Sequence, residues 1–238
     1  MPSLRVNIAH YKEDLSWIEP IKHKYEVLVY EKNTNLTSYT EYKTLSPDRV
    51  ALANIGREAH TYLIHIINNY DSLRDYEVFL QGRVDDHVYG NILDHIHSMV
   101  EQNRGHISWC HKEKSKIGCF NEEVYQQMKK EYPNHNHINQ FYPPHGIRDY
   151  LFFKDMFPDL DYPTTPYFFN SFALFGVKKE VIQYYPKSFY EKLLEYFNPT
   201  YKNFINKPTD YFIANMPYSF EAFWDFIFQH ALKYTTTS

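Results

Sequence analysis

"NIGREAHTYLIHIINNYDSLRDYEVFLQG", residues 54–82, changes its hydrophobic period partway along, and that change decides the fold class. Apolar side chains at Ala59, Tyr62, Leu63, Ile66, Ile67 and Tyr70 fall at alternating steps of three and one, the spacing of a helix with one buried face. After a polar turn at Asp71–Asp75 the pattern shortens to Tyr76–Gln81, a bounded, mostly apolar run that reads as a strand. Working outward, "RVNIAHY" (Arg5–Tyr11) reads as a first strand, followed by the polar turn Lys12, Glu13, Asp14 and a short helix near Leu15–Ile21. "YEVLVY" (Tyr25–Tyr30) is the next strand. Two strand–helix passes in the first ninety residues predict an α/β fold, a mostly parallel central sheet flanked by helices. In such sheets the ligand crevice lies outside the carboxyl ends of the strands, so the charged turns after Tyr11 and after Gln81 are expected to meet there.

The rest of the chain extends one domain. Ile92–Val100 reads as a helix, His106–Cys110 as a short strand and Glu122–Tyr132 as a charged surface helix. Tyr132–Ile147, with three prolines and several Asn and His residues, reads as a long loop. Tyr167–Val177 is an apolar β-rich run, and the segment after it, from Lys179 to Phe197, continues as helix. Ser219–Tyr234 carries Phe220, Phe223, Trp224, Ile227, Phe228 and Ala231 on one stripe and should pack against the body.

Composition limits the function classes. The 238 residues carry a net charge of −4 with both signs interspersed, so the broad basic field needed for nucleic-acid binding is missing. Cys110 and Cys119 are too few and too isolated for a disulfide framework, which points to a reducing compartment. The opening residues lack a charged leader followed by an apolar run, and no apolar stretch approaches the ~18 residues of a membrane span, so a cytoplasmic protein without a transmembrane segment is expected. With 23 Tyr and 18 Phe against 7 Gly, the chain has aromatics enough for sugar stacking, although their regular spacing favours a Phe/Tyr-packed core. No GxGxxG, GxxxxGK[ST] or GxSxG stretch occurs, which removes the main support for dinucleotide, P-loop and α/β-hydrolase readings.

The candidate chemistry gathers after the third strand, in "QGRVDDH", Gln81–His87. Asp85, Asp86 and His87 offer ligands for Mg2+ or Mn2+, and a divalent ion there would neutralise a departing diphosphate. Adjacent carboxylates in a loop also serve as plain solvated turns. A zinc site is disfavoured, because the HExxH spacing is missing and His95 and His97, two apart on a helix, diverge by about 200°. These two, and His135, His137 and His145, read as surface or pocket-lining residues. Glu221 follows Ser219, an expected N-cap, by two residues. There it either complements the helix dipole, worth about 0.3–1 kcal/mol, or serves as a general base at a rigid helix start.

The GREAHTYLxHI helix, the NYDxL turn and the FLQG strand closely resemble a family of glycosyltransferase-like proteins that is a domain of unknown function. "AHYKEDLSWI" (Ala9–Ile18), "FFNSFALFGVKKEVI" and "SFEAFWDFIF" extend the resemblance over most of the chain. It implies a GT-A-like single domain, with about residues 1–105 binding a nucleotide-sugar donor and about 106–238 binding a carbohydrate acceptor. The loop after the central strand then carries an Asp-x-Asp-type motif, matched by Val84, Asp85 and Asp86. The family more often has an acidic residue directly after the FLQG glycine; here it is Arg83, which can itself pair with a diphosphate oxygen. Tyr11, Glu13, Asp14, Arg57, Gln81, Gly82 and Arg83 are the implied donor pocket, although Arg57 also suits a plain ion pair with Glu58. "PYSFEAFW" is similar, over a short stretch, to branching β-glycosyltransferases, and the likeness makes Glu221 the expected base of an inverting transfer. The alternatives are a metal-dependent hydrolase or phosphotransferase built on Asp85, Asp86 and His87, and a non-catalytic carbohydrate-binding domain.

Overall fold

The computed structural model describes residues 2–109, 115–117, 130, 147–160, 167–169, 173–200 and 210–235. Apart from Lys130, the segment expected as the Glu122–Tyr132 helix lies outside these residues, as do residues 132–146 of the loop with His135, His137 and His145, and both cysteines. In chain order the described strands are β1 (Leu4–His10), β2 (Glu26–Glu31), β3 (Tyr42–Ser46), β4 (Arg49–Leu52), β5 (Tyr76–Gln81), β6 (His106–Ser108), β7 (Ser115–Ile117), β8 (Tyr167–Phe169) and β9 (Phe175–Lys178). The described helices are α1 (Glu19–Lys22), α2 (Arg57–Asn69), α3 (Ile92–Glu101), α4 (Ile147–Met156), α5 (Lys179–Ile182), α6 (Lys187–Leu194) and α7 (Asp210–Thr235).

Seven strands form one sheet in the order β3–β4–β2–β1–β5–β9–β6, while β7 and β8 pair separately. The α/β architecture is therefore as expected, with a core of four parallel strands, β4, β2, β1 and β5. Antiparallel pairing adds β3 at one edge and β9 and then β6 at the other, so both halves of the chain contribute to one sheet. Helices cover both faces, and the two-residue period of the strands sorts the side chains between them. Tyr76, Val78 and Leu80 of β5 join Leu4, Val6 and Ile8 of β1 against Ile21 of α1 and Ile96 and Met99 of α3. Phe79 points the other way, into a second core with Tyr62 of α2 and Phe223, Trp224 and Phe228 of α7.

That second core also buries a polar chain. The Tyr30 hydroxyl lies 2.7 Å from His65 Nδ1, His65 Nε2 lies 3.1 Å from Glu77 Oε2, and Asn7 Nδ2 donates to the same oxygen at 2.8 Å. These mutual bonds are what permit four polar side chains beneath α2.

Three expectations need correction. The Tyr167–Val177 run is two strands in different sheets, β8 and β9, and Ala173, at a left-handed φ of 48°, breaks the extended backbone just before the second. The helix expected from Lys179 to Phe197 is split into α5 and α6, with Pro186 as the N-cap of the second. Ser219 is buried inside α7 rather than capping it, since the helix begins at Asp210 and runs on through Pro217. Glu221 is thus eleven residues past the first (221 − 210), beyond the reach of the helix dipole.

Candidate functional site

β1 is followed in the sheet by β2 and β4 on one side and by β5 on the other, which makes the β1/β5 junction the topological switch point. Ala9 of β1 pairs in register with Gln81 of β5, and the Gly82 N–H continues the ladder to the Ala9 carbonyl at 2.8 Å. Both polar turns therefore leave the sheet side by side. The Glu13 carboxylate folds back over Gly82 so closely that a Cβ there would stand 2.6 Å from Oε2. Trp17 closes the other side, donating its indole N–H to the Gly82 carbonyl at 2.9 Å.

Between these groups opens a cavity of ≈ 490 Å3 lined by Glu13, Asp14, Ser16, Trp17, Arg83, Val84 and Asp85. A second, more apolar cavity of ≈ 290 Å3 shares Trp17, Val84 and Asp85 as walls. Burial works against ionisation of Glu13, but the N–H groups of Tyr11 and Lys12 donate to Oε2 at 2.8 and 3.1 Å and hold its carboxyl below the usual range. The Ser16 N–H and hydroxyl do the same for exposed Asp14. Arg83 Nε sits 3.5 Å from Asp85 and 3.0 Å from Asp86, in pairs exposed enough to exchange for a ligand at little cost. Glu13, Asp14 and Asp85 thus line the cavity with one guanidinium, Arg83, that already pairs with Asp85 and Asp86. A bare diphosphate meets net negative charge in this crevice.

The donor set suits a hard divalent ion in part. Among the described residues no group of three or more His, Cys, Asp or Glu side chains is placed to hold one unaided. Asp85 and Asp86 would supply one or two carboxylate oxygens, with ligand phosphate and water completing the shell, the usual arrangement for Mg2+. The His87 N–H bonds back to the Val84 carbonyl at 3.0 Å, which shapes the loop.

Arg57 and Glu221 belong to a second cluster, around the start of α2. Arg57 Nε lies 3.6 Å from Glu58 Oε2, and its guanidinium sits over the Tyr218 ring at 5.2 Å. Glu58 and Glu221 are both buried, and among the described residues Oε1 of Glu58 has no hydrogen-bond partner. Burial, reinforced by the charge of Glu221, pushes the Glu58 carboxyl up to about 7, although Arg57 opposes the shift. The Tyr62 hydroxyl, one helical turn on, also has no hydrogen-bond partner among the described residues, and burial beside Glu58 and Glu221 raises it far above its ordinary range.

Lys32, just past β2, joins the two clusters. Its backbone N–H bonds the His10 carbonyl at 2.8 Å, and its Nζ donates to the Ile55 and Arg57 carbonyls at 2.5 and 2.7 Å. The His10 ring meets the Glu13 carbonyl at 3.0 Å on one side and Glu31 at 2.6 Å on the other. Burial lowers the Lys32 ammonium to about 7. The His60 imidazole is held down to about 3, first by burial and then by the Lys32 charge, so Nδ1 is left as an acceptor 3.5 Å from Nζ.

A family described as "Protein of unknown function (DUF3431)" matches residues 6–238, nearly the whole chain. The chain belongs to the DUF3431 family. No curated protein and no solved structure matches it. The DUF3431 match spans both clusters, from Glu13 to Glu221. Among the described residues no helix is long and apolar enough to cross a membrane.

Of the residues expected at the site, Glu13, Asp14, Arg83 and Asp85 line one cavity, Gly82 packs against the Glu13 side chain and Asp86 flanks the cavity through Arg83. Tyr11 is exposed and contributes its N–H to Glu13 rather than a side-chain contact with the cavity. Glu58 and Lys32 were missed. Each carried a signal: Glu58 falls on the buried face of an amphipathic helix, and Lys32 follows the apolar run of β2 without leaving the interior.

Proposed function

We propose that this chain transfers a sugar from a nucleotide-sugar donor to a carbohydrate hydroxyl, with inversion, on a GT-A-like fold. The observation that carries the reading is the crevice at the β1/β5 switch point, where the acidic loop Arg83–Asp86 faces Glu13 and Asp14. Nucleotides bind at that place in open α/β sheets. In this net acidic crevice Asp85 and Asp86 would hold a divalent ion beside the donor diphosphate, and such an ion would supply charge neutralisation for the leaving group. Arg83 turns from its carboxylate partners to the diphosphate. The acceptor oxygen attacks the anomeric carbon as the bond to the diphosphate oxygen breaks, and Glu221 takes the hydroxyl proton. Arg57 and Glu58 set the field around Glu221.

A thermal-shift panel of nucleoside diphosphates, nucleotide sugars, sugar phosphates and free sugars, each with and without Mn2+, tests the reading. Nucleotide at about a hundred times its Kd should add about 2.7 kcal/mol of stability. A response confined to sugar phosphates with metal points to a hydrolase or phosphotransferase, and one confined to free sugars to a carbohydrate-binding domain. Either result, or no response to any nucleotide, rejects transfer.

A further inference from the structure

Two successive residues at the start of α2 have left-handed φ, the N-cap Gly56 at 62° and the first helical residue Arg57 at 49°. Glycine takes this conformation freely and is required here, since a Cβ on Gly56 would stand 2.5 Å from the Phe197 ring. For an arginine the same conformation is disfavoured by about tenfold or more, and it persists only where the surroundings enforce it. What surrounds this turn is Lys32, 3% exposed, whose Nζ donates to the carbonyls of Ile55 and Arg57 and faces His60 Nδ1. His60 is fixed in turn by its Nε2, which donates to the Tyr39 carbonyl at 2.6 Å. Three acceptors thus converge on the three protons of one buried ammonium, and two of them belong to the backbone of the strained turn. The product of the turn is the position of Arg57, against Glu58 and over Tyr218.

We propose that Lys32 is the positioning residue for Arg57: by bridging the carbonyls on either side of the turn, its ammonium holds Arg57 left-handed and aims the guanidinium at the Glu58–Glu221 carboxylates. The clamp stands on geometry alone; what Arg57 does once placed rests on the transfer reading.

The test uses the full chain with Lys32→Met, which keeps the stem and removes the donors. Amide exchange at His60, whose N–H bonds the Gly56 carbonyl at 3.2 Å, should accelerate about tenfold or more while exchange in β1 and β5 stays unchanged. Asparagine tolerates the left-handed region better than arginine, so in an Arg57→Asn background the stability lost on removing Lys32 should shrink several-fold in the unfolding constant. Exchange at the wild-type rate, or equal losses in both backgrounds, overturns the clamp. If Lys32→Met does not fold, recovery of the fold in Lys32→Met/Arg57→Asn supports the clamp, and failure of both assigns Lys32 to the core instead. A functional arm measures single-turnover transfer from the nucleotide sugar that the thermal-shift panel selects. Lys32→Met and Arg57→Ala should lower that rate by the same factor with nucleotide affinity nearly unchanged, and the double variant no further. If Arg57→Ala leaves the rate intact, Arg57 has no part in the field around Glu221, while exchange and stability still decide the role of Lys32.

Discussion

Replacing Glu58 with glutamine keeps the shape of a buried side chain and removes its titration. In the folded protein burial beside Glu221 raises this carboxyl from 4.5 to about 7. The sign follows directly: between those values the native state binds more protons than the unfolded chain, so Glu58 favours folding below pH 4.5 and loses that contribution as pH rises through 7. A difference of 2.5 (7 − 4.5) at ~1.4 kcal/mol per pH unit comes to roughly 3 kcal/mol. The wild-type curve alone does not isolate this, because buried His60, lowered from 6.5 to about 3, drives stability upward with pH over part of the same window. Subtraction removes the background that does not depend on Glu58; the Lys32 ammonium, lowered to about 7 against the opposing charge of Glu58, shifts with it at the upper end of the window. Glu13, Asp14, Asp48 and Asp75 are all held below their ordinary values, so their titrations fall at lower pH. Urea unfolding at half-unit steps from pH 4.5 to 8 should show Glu58→Gln gaining about 3 kcal/mol on the wild type across the series. Adding Glu221→Gln to both proteins should reduce that gain, since Glu221 is the second cause of the shift. Parallel curves at every pH would refute a buried, proton-retaining Glu58 and the electrostatic pairing with Glu221.

The other expectations concern binding and turnover. Asp86→Ala should weaken nucleoside diphosphate binding much more in Mn2+ than in EDTA; equal affinities for the wild type in the two buffers would leave Arg83 to carry the diphosphate without an ion. Glu221→Gln should lower single-turnover transfer by about 100- to 10,000-fold with donor affinity nearly unchanged, and a folded variant at wild-type rate removes Glu221 as the base.

What could be read in advance depended on how local the signal was. β1, β2 and β5 announced themselves because both of their faces are buried, which compresses apolar residues into short runs. The meeting of the turns after Tyr11 and Gln81 followed from the rule that ligand crevices lie at the carboxyl ends of parallel strands. The β3–β4 hairpin was passed over for the opposite reason: Tyr42, Lys43, Thr44 and Leu45 are all exposed, so no alternation marks the strand. Ser219 looked like an N-cap two residues before Glu221, yet α7 begins at Asp210 and carries Pro217 in its interior. Glu58 and Glu221 meet only through the packing of α2 against α7, a long-range event that no window of sequence contains.

The pairing of β5 with β9 sets the order of events when the chain is made. β1, β2, β4 and α2 come early, but the free edge of β5 waits for a partner that begins 94 residues later (175 − 81). Until Phe175–Lys178 arrives, Tyr76–Phe79 offers a row of unpaired backbone groups beside a strongly apolar strand, the kind of template on which chains join one another. A fragment ending before β9 would therefore be prone to self-association, and the wait for a distant closing strand makes folding slow relative to a sheet built from neighbours.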